Sequence, residues 1–423
     1  MRRLALLFVA VGRLISQPAS DPGPVARKAL DLLLAEKYSD FTQMLAPQAA
    51  RAFTLATVEK VGAQIKTFGA VENIGQPTVR QVQTNNVVVI PVKFATANIN
   101  FQLGVSGAGQ VTSLPVFAPG QAEWQRPAYS KSEAFREREA TVGEREWKLP
   151  GTLTVPVGAG RFPGVVLVHG FGPNDRDHTV GGTKMFKDLA EGLASRGIAV
   201  LRYEKRTRQY RPAMMGKPYT VEDDTVEDAV AAAALLRGLP EVNPQRIYVI
   251  GYDLGGYITP RIAADDGKLA GLILLAAHTR RLEDVIAGQV EALGATGNQL
   301  EAIRAQAKRV KTLDEGDASA PPILGLPVSY FLDLKGYEPV AEAKKLGIPI
   351  LILQGERDFQ VTMADFTLWK SGLSGAKGVT LKSYPALNHL LVAGQGPSTE
   401  AEYRRPGHVA PEVIEDMAEF VGQ

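Results

Sequence analysis

The residues able to do chemistry lie in four short stretches. Gly251-Tyr252-Asp253-Leu254-Gly255-Gly256 follows an apolar run at 247–252 and precedes a helical pattern at 257–265. Gly-x-Asp-x-Gly between a strand and a helix predicts a tight turn, with its middle residue held strained and exposed at the sheet edge. Upstream, the run 165–168 ends in His169-Gly170-Phe171-Gly172-Pro173. At such a corner the backbone N–H of Phe171, together with that of Leu254, can meet a developing oxyanion. Downstream, Gly355-Glu356-Arg357-Asp358 places an acid just after a late strand, and Asn388-His389 places a histidine in the loop after the last one. These types in this order predict a nucleophile at Asp253, a base at His389 and an acid at Asp358 that orients it.

The carboxyl group sets the chemistry. A serine hydroxyl at the elbow would attack an acyl carbon while the histidine took its proton. An aspartate has no hydroxyl proton to give up, and its acyl-enzyme would be an anhydride. It suits displacement at an sp³ carbon instead, which leaves an alkyl ester that water, activated by His389, then splits.

These stretches need strands that deliver them to one edge. Strand-like apolar runs at 165–169, 198–203, 247–252, 272–277, 348–354 and 379–384 alternate with helical patterns at 186–196, 226–239 and 363–372. Nearly all-apolar strands alternating with helices predict a mostly parallel, doubly wound sheet of the α/β class, covered on both faces. The stretch 281–346 interrupts this rhythm with two helical patterns, 282–293 and 299–311, and reads as a helical cap over a pocket. Before the sheet, 21–119 reads as a small α+β accessory domain. Its expected helices are 25–34 and 58–68, followed by alternating runs at 79–83, 87–94, 98–105 and 111–117. Residues 120–135 read as a linker, with Trp124 and Tyr129 packed, and 136–423 as the catalytic domain. At the start, Met1-Arg2-Arg3 and the apolar run 4–12 have the form of an export signal over 1–20, so the mature chain is expected in the periplasm or outside the cell.

Composition narrows the classes. The 423 residues carry 47 basic and 45 acidic side chains, net +2, which gives no electrostatic footprint for nucleic acid or an anionic membrane. There are no cysteines, which removes disulfides, thiolate metal sites and a Cys nucleophile. A small-molecule substrate, no membrane span, no metal and no cofactor are the expectations. No sequence signal bears on oligomeric state.

Residues 135–423 resemble an α/β-hydrolase of the bacterial carboxylesterase type that carries a small N-terminal domain of the DUF3887 kind, to which 24–117 is similar. The likeness rests on His169-Gly-Phe-Gly-Pro-Asn-Asp-Arg-Asp177, Leu201-Arg-Tyr-Glu-Lys-Arg206, Leu353-Gln-Gly-Glu-Arg-Asp358 and Pro385-Ala-Leu-Asn-His389. It implies the α/β-hydrolase fold and hydrolysis of short-chain carboxylic esters without metal or cofactor. Three positions depart from the family: the elbow there reads Gly-His-Ser-Leu-Gly-Gly, against Tyr252 and Asp253 here, and its oxyanion corner carries a small residue where Phe171 stands.

Three functions follow as alternatives. The first is esterase-like hydrolysis with Asp253 at the nucleophile position. The second is an Asp-nucleophile hydrolase, because epoxide hydrolases and haloalkane dehalogenases resemble this plan. Leu254 stands where a dehalogenase has tryptophan, and Tyr330 and Tyr337 of the cap are the candidate acidic donors to an opening epoxide. The third is a catalytically impaired or purely binding protein with an altered elbow. Tyr252, Tyr330 and Tyr337 are the substrate-binding candidates. Glu356 and Asp333 are rivals of Asp358. His169 reads as a hydrogen-bonding shaper of its corner, and His178, His278 and His408, lacking ligand spacing, read as solvated or polar contacts. Asp175, Arg176 and Asp177 read as a salt-bridged rim or a solvated loop, and the Glu/Arg run 133–146 as an exposed face.

Overall fold

Alternation of side chains along a strand explains how the apolar runs build two cores. Val165 and Leu167 point to one face of the sheet and Val166 and Val168 to the other, all four fully buried. Gly271–Leu275 and Ile350–Gly355 are buried along their whole length. Each buried Val, Leu or Ile contributes about 1.5–3 kcal/mol relative to exposure, so strands apolar on both faces are stable only between two layers of helices. The computed structural model describes residues 21–82, 85–95, 97–119, 124–144 and 146–422. The expected export signal at 1–20 lies outside the described residues. The chain divides into two compact units, Met1–Ala122 and Glu123–Gln423.

The second unit holds eight strands: β1 (Phe135–Val142), β2 (Leu149–Pro156), β3 (Phe162–Val168), β4 (Ala199–Tyr203), β5 (Val242–Tyr252), β6 (Gly271–Leu275), β7 (Ile350–Gly355) and β8 (Val379–Tyr384). They form one sheet in the order β8-β7-β6-β5-β3-β4-β2-β1. β1, β2 and β4 pair antiparallel, and from β4 to β8 every pairing is parallel. On one face Met185–Ala194 lays Met185, Phe186, Leu189 and Leu193 against Val165, Leu167, Val200 and Ile250, joined by Val413, Ile414 and Met417 of Pro411–Gly422. On the other, Ala229, Ala232 and Leu236 of Glu227–Arg237, Ile258 and Ile262 of Leu254–Asp266, and Trp369 of Met363–Gly372 pack on Val166, Val168, Val249 and Leu274.

Three features of this unit differ from expectation. Residues 149–156 form β2, a strand hidden in the sequence by Pro150, Gly151 and Pro156, which read as turn residues. The acidic and basic run around 136–139 is exposed as expected, but it forms the edge strand β1 paired along β2. The insertion between β6 and β7 holds four helices, Leu282–Ala292, Gly297–Val310, Val328–Asp333 and Pro339–Leu346, where the sequence pattern indicated two.

In the first unit, four helices, Pro22–Leu34, Tyr38–Gln43, Pro47–Ala52 and Leu55–Lys66, precede an antiparallel sheet. Ala26, Leu30, Leu33, Val58 and Ile65 share a core with Val88, Ile90, Phe101 and Leu103. The expected strand at 111–117 is reduced to isolated bridges of Val111 to Leu45 and Val105 and a short strand Val116–Pro119.

Candidate active site

The carboxyl ends of parallel strands open onto one edge, and there the loops after β3, β5, β6, β7 and β8 meet. β5 registers Gly251 against Val168 of β3 and Tyr252 against Leu275 of β6. Asp253 is the next residue. It precedes Leu254–Asp266 with φ 54° and ψ −116°, a conformation that costs a non-glycine residue about 1–3 kcal/mol. The glycines around it have no room for a side chain: a Cβ on Gly255 would lie 2.5 Å from the Val168 carbonyl oxygen, and one on Gly251 2.5 Å from the Gly255 carbonyl oxygen. The elbow therefore presses directly on the end of β3.

Across that contact Phe171, one of the two expected oxyanion donors, meets the elbow. Phe171 N–H donates to Asp253 Oδ2 at 2.9 Å. Leu254 opens the helix, so its N–H is one of the first-turn donors that the helix itself cannot satisfy. Asn174 Nδ2 lies 3.2, 3.1 and 3.2 Å from the carbonyl oxygens of Gly170, Phe171 and Gly172 and ties the corner loop together.

His389 and Asp358 also meet. His389 Nδ1 lies 2.7 Å from Asp358 Oδ2, and both side chains are buried. A carboxylate only accepts, so Nδ1 carries the proton and the Nε2 lone pair is not engaged by Asp358. Asp358 Oδ1 accepts from the N–H groups of Gln360 and Val361 at 2.8 and 2.9 Å, and Gln354 Nε2 donates to Oδ2 at 3.2 Å. Burial lowers the His389 pKa, but the charge and hydrogen bond of Asp358 and the charge of Asp253 outweigh it, so the net direction is upward. The rivals of Asp358 are engaged elsewhere: Glu356 accepts from Ser383, and Asp333 pairs with Arg261.

His178 and His278 are buried beside the site, so of the two sequence readings, solvated or polar contact, the solvated one fails for both. Burial drives both pKa values down, His178 to about 4, against the pull of the Asp253 charge. His178 packs edge-on to the Tyr252 ring at 4.8 Å, and Tyr252 lies 4.9 Å from the His389 ring. His278 donates from Nδ1 to the Arg280 carbonyl at 2.8 Å and stacks on Tyr257 at 4.4 Å. Neither histidine carries a sequence signal, since spacing alone does not tell a buried imidazole from a surface one. His169 Nε2 donates to the Tyr203 carbonyl at 2.6 Å, and burial holds its pKa well below the usual histidine value.

The substrate-binding candidates separate. Tyr330 is buried and lines a cavity of about 690 Å³ walled by the insertion (Ala318–Val328) and by residues 207–219, with Phe171, Gly172 and Pro173 at its edge. Tyr337 donates to the Tyr257 carbonyl at 3.1 Å and packs edge-on to the Tyr257 ring. Tyr252 is buried under the histidines. Arg176 bonds Glu139 and Glu204, and Asp177 bonds Arg202 and Lys184, so this loop is salt-bridged onto the sheet. Among the described residues, no group of three or more His, Cys, Asp or Glu is placed to hold a metal ion, and no helix is long and apolar enough to cross a membrane.

An eight-stranded, mostly parallel sheet with an elbow after β5 and a His–Asp pair after β7 and β8 defines the α/β-hydrolase class. The model of the alpha/beta hydrolase family matches residues 165–421, and the chain belongs to that family. It is 38% identical over 338 residues to esterase EstD of Thermotoga maritima, covering 78% of each chain, and is thus an esterase-like hydrolase. Among solved structures it is similar to Est1E of Butyrivibrio proteoclasticus (TM-score 0.46, 19% identity, 67% of this chain and 99% of that one). It is also similar to the Pyrococcus furiosus esterase Pf2001 (TM-score 0.46, 15% identity, 72% and 95%).

Proposed function

We propose that the chain hydrolyses small carboxylic esters, with Asp253 as nucleophile, His389 as base, Asp358 as its orienter, and the Phe171 and Leu254 N–H groups as oxyanion donors. The observation that carries this reading is the 2.7 Å bond from His389 to Asp358, which frees Nε2 for proton transfer beside the elbow. The likeness to EstD supplies the substrate class. An ester with a good leaving group is attacked at its acyl carbon by Asp253 and loses its alkoxide or phenoxide. The resulting mixed anhydride is split by water that gives its proton to His389. The cavity at Phe171 receives the bulk of the substrate.

A second reading is favoured by the Phe171–Asp253 hydrogen bond. With Oδ2 held on the oxyanion donor, Oδ1 is the attacking atom: displacement at an sp³ carbon breaks the C–halogen bond and releases halide, or breaks an epoxide C–O bond and leaves an alkoxide that takes a proton from water, as an alkyl ester forms on Asp253. Water deprotonated by His389 adds to the Asp253 carboxyl carbon, and the negative charge develops on Oδ2, which already faces Phe171 N–H.

Short-chain aryl esters separate the two, because an aryl carbon does not undergo this displacement. Turnover by the parent, lost in Asp253→Asn and in His389→Gln, supports the first reading. A parent inert to aryl esters that opens an epoxide or haloalkane, and takes ¹⁸O from labelled water into Asp253, supports the second. If the parent is inert to both panels while Asp253→Ser cleaves esters, both fail and Asp253 blocks an esterase site. The proposal also includes export directed by residues 1–20, checked by the N-terminal sequence of protein recovered outside the cytoplasm, and an accessory role for the N-terminal unit of the DUF3887 kind.

A further inference from the structure

Lys205 follows β4 in the phrase Arg202-Tyr-Glu-Lys205, where a lysine would ordinarily reach solvent. It is 2% exposed. Its ammonium lies 3.0 Å from Asp224 Oδ2, itself 4% exposed, and donates to the Gly170 carbonyl at 2.9 Å. That carbonyl belongs to the same peptide unit as Phe171 N–H, which donates to Asp253 Oδ2 at 2.9 Å. The Lys205 backbone N–H also bonds the Asn174 carbonyl at 3.2 Å, so the lysine and the corner loop are tied at two points.

We propose that Lys205, held by Asp224, is a positioning residue for the oxyanion corner, fixing the Gly170–Phe171 peptide and strengthening the N–H it presents to Asp253. This rests on the reading of Phe171 N–H as an oxyanion donor. Amide resonance couples the two ends of a peptide: a cation on the carbonyl oxygen draws electron density from nitrogen and makes the N–H a stronger donor. The chain Asp224, Lys205, Gly170 C=O, Phe171 N–H, Asp253 alternates acceptor and donor without a break. Its geometry is built in from both sides. Asp224 sits in the π-helical segment Glu222–Val226 ahead of Glu227–Arg237, a widened turn of the kind that recurs at functional sites. A buried ion pair is weak support for stability compared with apolar side chains of the same volume, so its place against this one carbonyl points to positioning.

The test compares the full-length parent with Lys205→Met, the double variant Lys205→Met/Asp224→Asn, which leaves no unpaired buried charge, and Lys205→Arg. Two readouts are taken: the Phe171 amide proton in protein labelled with ¹⁵N-phenylalanine, and kcat and KM on whichever substrate the parent turns over. In the folded double variant the amide proton is expected to move upfield and kcat to fall about tenfold or more at nearly constant KM, with partial recovery of both in Lys205→Arg. A double variant that folds with an unmoved amide resonance overturns the proposal, whatever its activity. A loss expressed in KM alone also overturns it. The amide readout needs no turnover, so a parent inert to every ester sinks the functional reading and leaves this test standing.

Discussion

At the scale of the residue, Asp253 does two things that a serine would not. Its carboxylate takes the Phe171 N–H for itself, and its charge reaches His178, His278 and His389. The His389 pKa is raised because Asp358, then Asp253, overcome burial, so the neutral base is lost as pH falls through a value above the usual 6.5. Asp253→Asn removes one of the raising charges. The His389 titration, followed by its imidazole resonance, is expected to shift to lower pH, and the acid limb of any remaining activity shifts with it. Stability carries the opposite sign at the two kinds of histidine. The raised His389 stabilises the fold fully below about pH 6.5, and that contribution fades as pH rises through its folded pKa. His178, pushed down to about 4, is neutral in the folded chain where the unfolded chain binds a proton, so stability falls as pH drops from 6.5 toward 4. His178→Phe is expected to flatten that slope, read as urea midpoints at pH 7 and pH 5.

At the scale of the element, the site depends on how closely the β5 elbow approaches β3. Gly255→Ala places a methyl 2.5 Å from the Val168 carbonyl oxygen and 2.6 Å from that of His169. The expected cost is about 1–3 kcal/mol, with loss of the Phe171–Asp253 bond, seen as a lower melting temperature and a moved Phe171 amide resonance. Trp369→Ala, at a fully buried side chain that donates to the Ala277 carbonyl at 2.9 Å, is expected to cost about 3–5 kcal/mol by denaturant unfolding. The central strands were legible because each is a short run dominated by Val, Ile and Leu, with glycine soon after it at Gly170, Gly251 and Gly355 for β3, β5 and β7. β2 was not, because Pro150 and Gly151 carry turn chemistry even where pairing to both neighbours overrides it. At the site, Asp253, Asp358 and His389 stood out by type and position after strands. Lys205 and Asp224 did not, since each stands among other charged residues (Glu204 and Arg206, Glu222 and Asp223), and two such clusters 19 positions apart look like surface charges until the fold pairs them. Burial of His178 and His278 is likewise a product of tertiary packing, which periodicity does not encode.

At the scale of the whole molecule, every candidate site residue, from Phe171 to His389, lies in the unit Glu123–Gln423, and that unit has cores of its own. A fragment beginning at Trp124 is therefore expected to keep the substrate range of the full chain, measured by kcat/KM side by side; a fragment that folds but is inert would assign the N-terminal unit a part in turnover. The sheet ends at β1, whose Arg136, Glu137, Arg138 and Glu139 are exposed, and charged side chains on an edge strand discourage pairing with another chain. The order of the strands also has a consequence for synthesis. β3 and β5, which lead into the Phe171 corner and the Asp253 elbow, are translated well before β7 and β8, which bring Asp358 and His389. A nascent chain therefore holds Phe171 and Asp253 before Asp358 and His389 exist, so the four residues can meet only once synthesis has passed position 389.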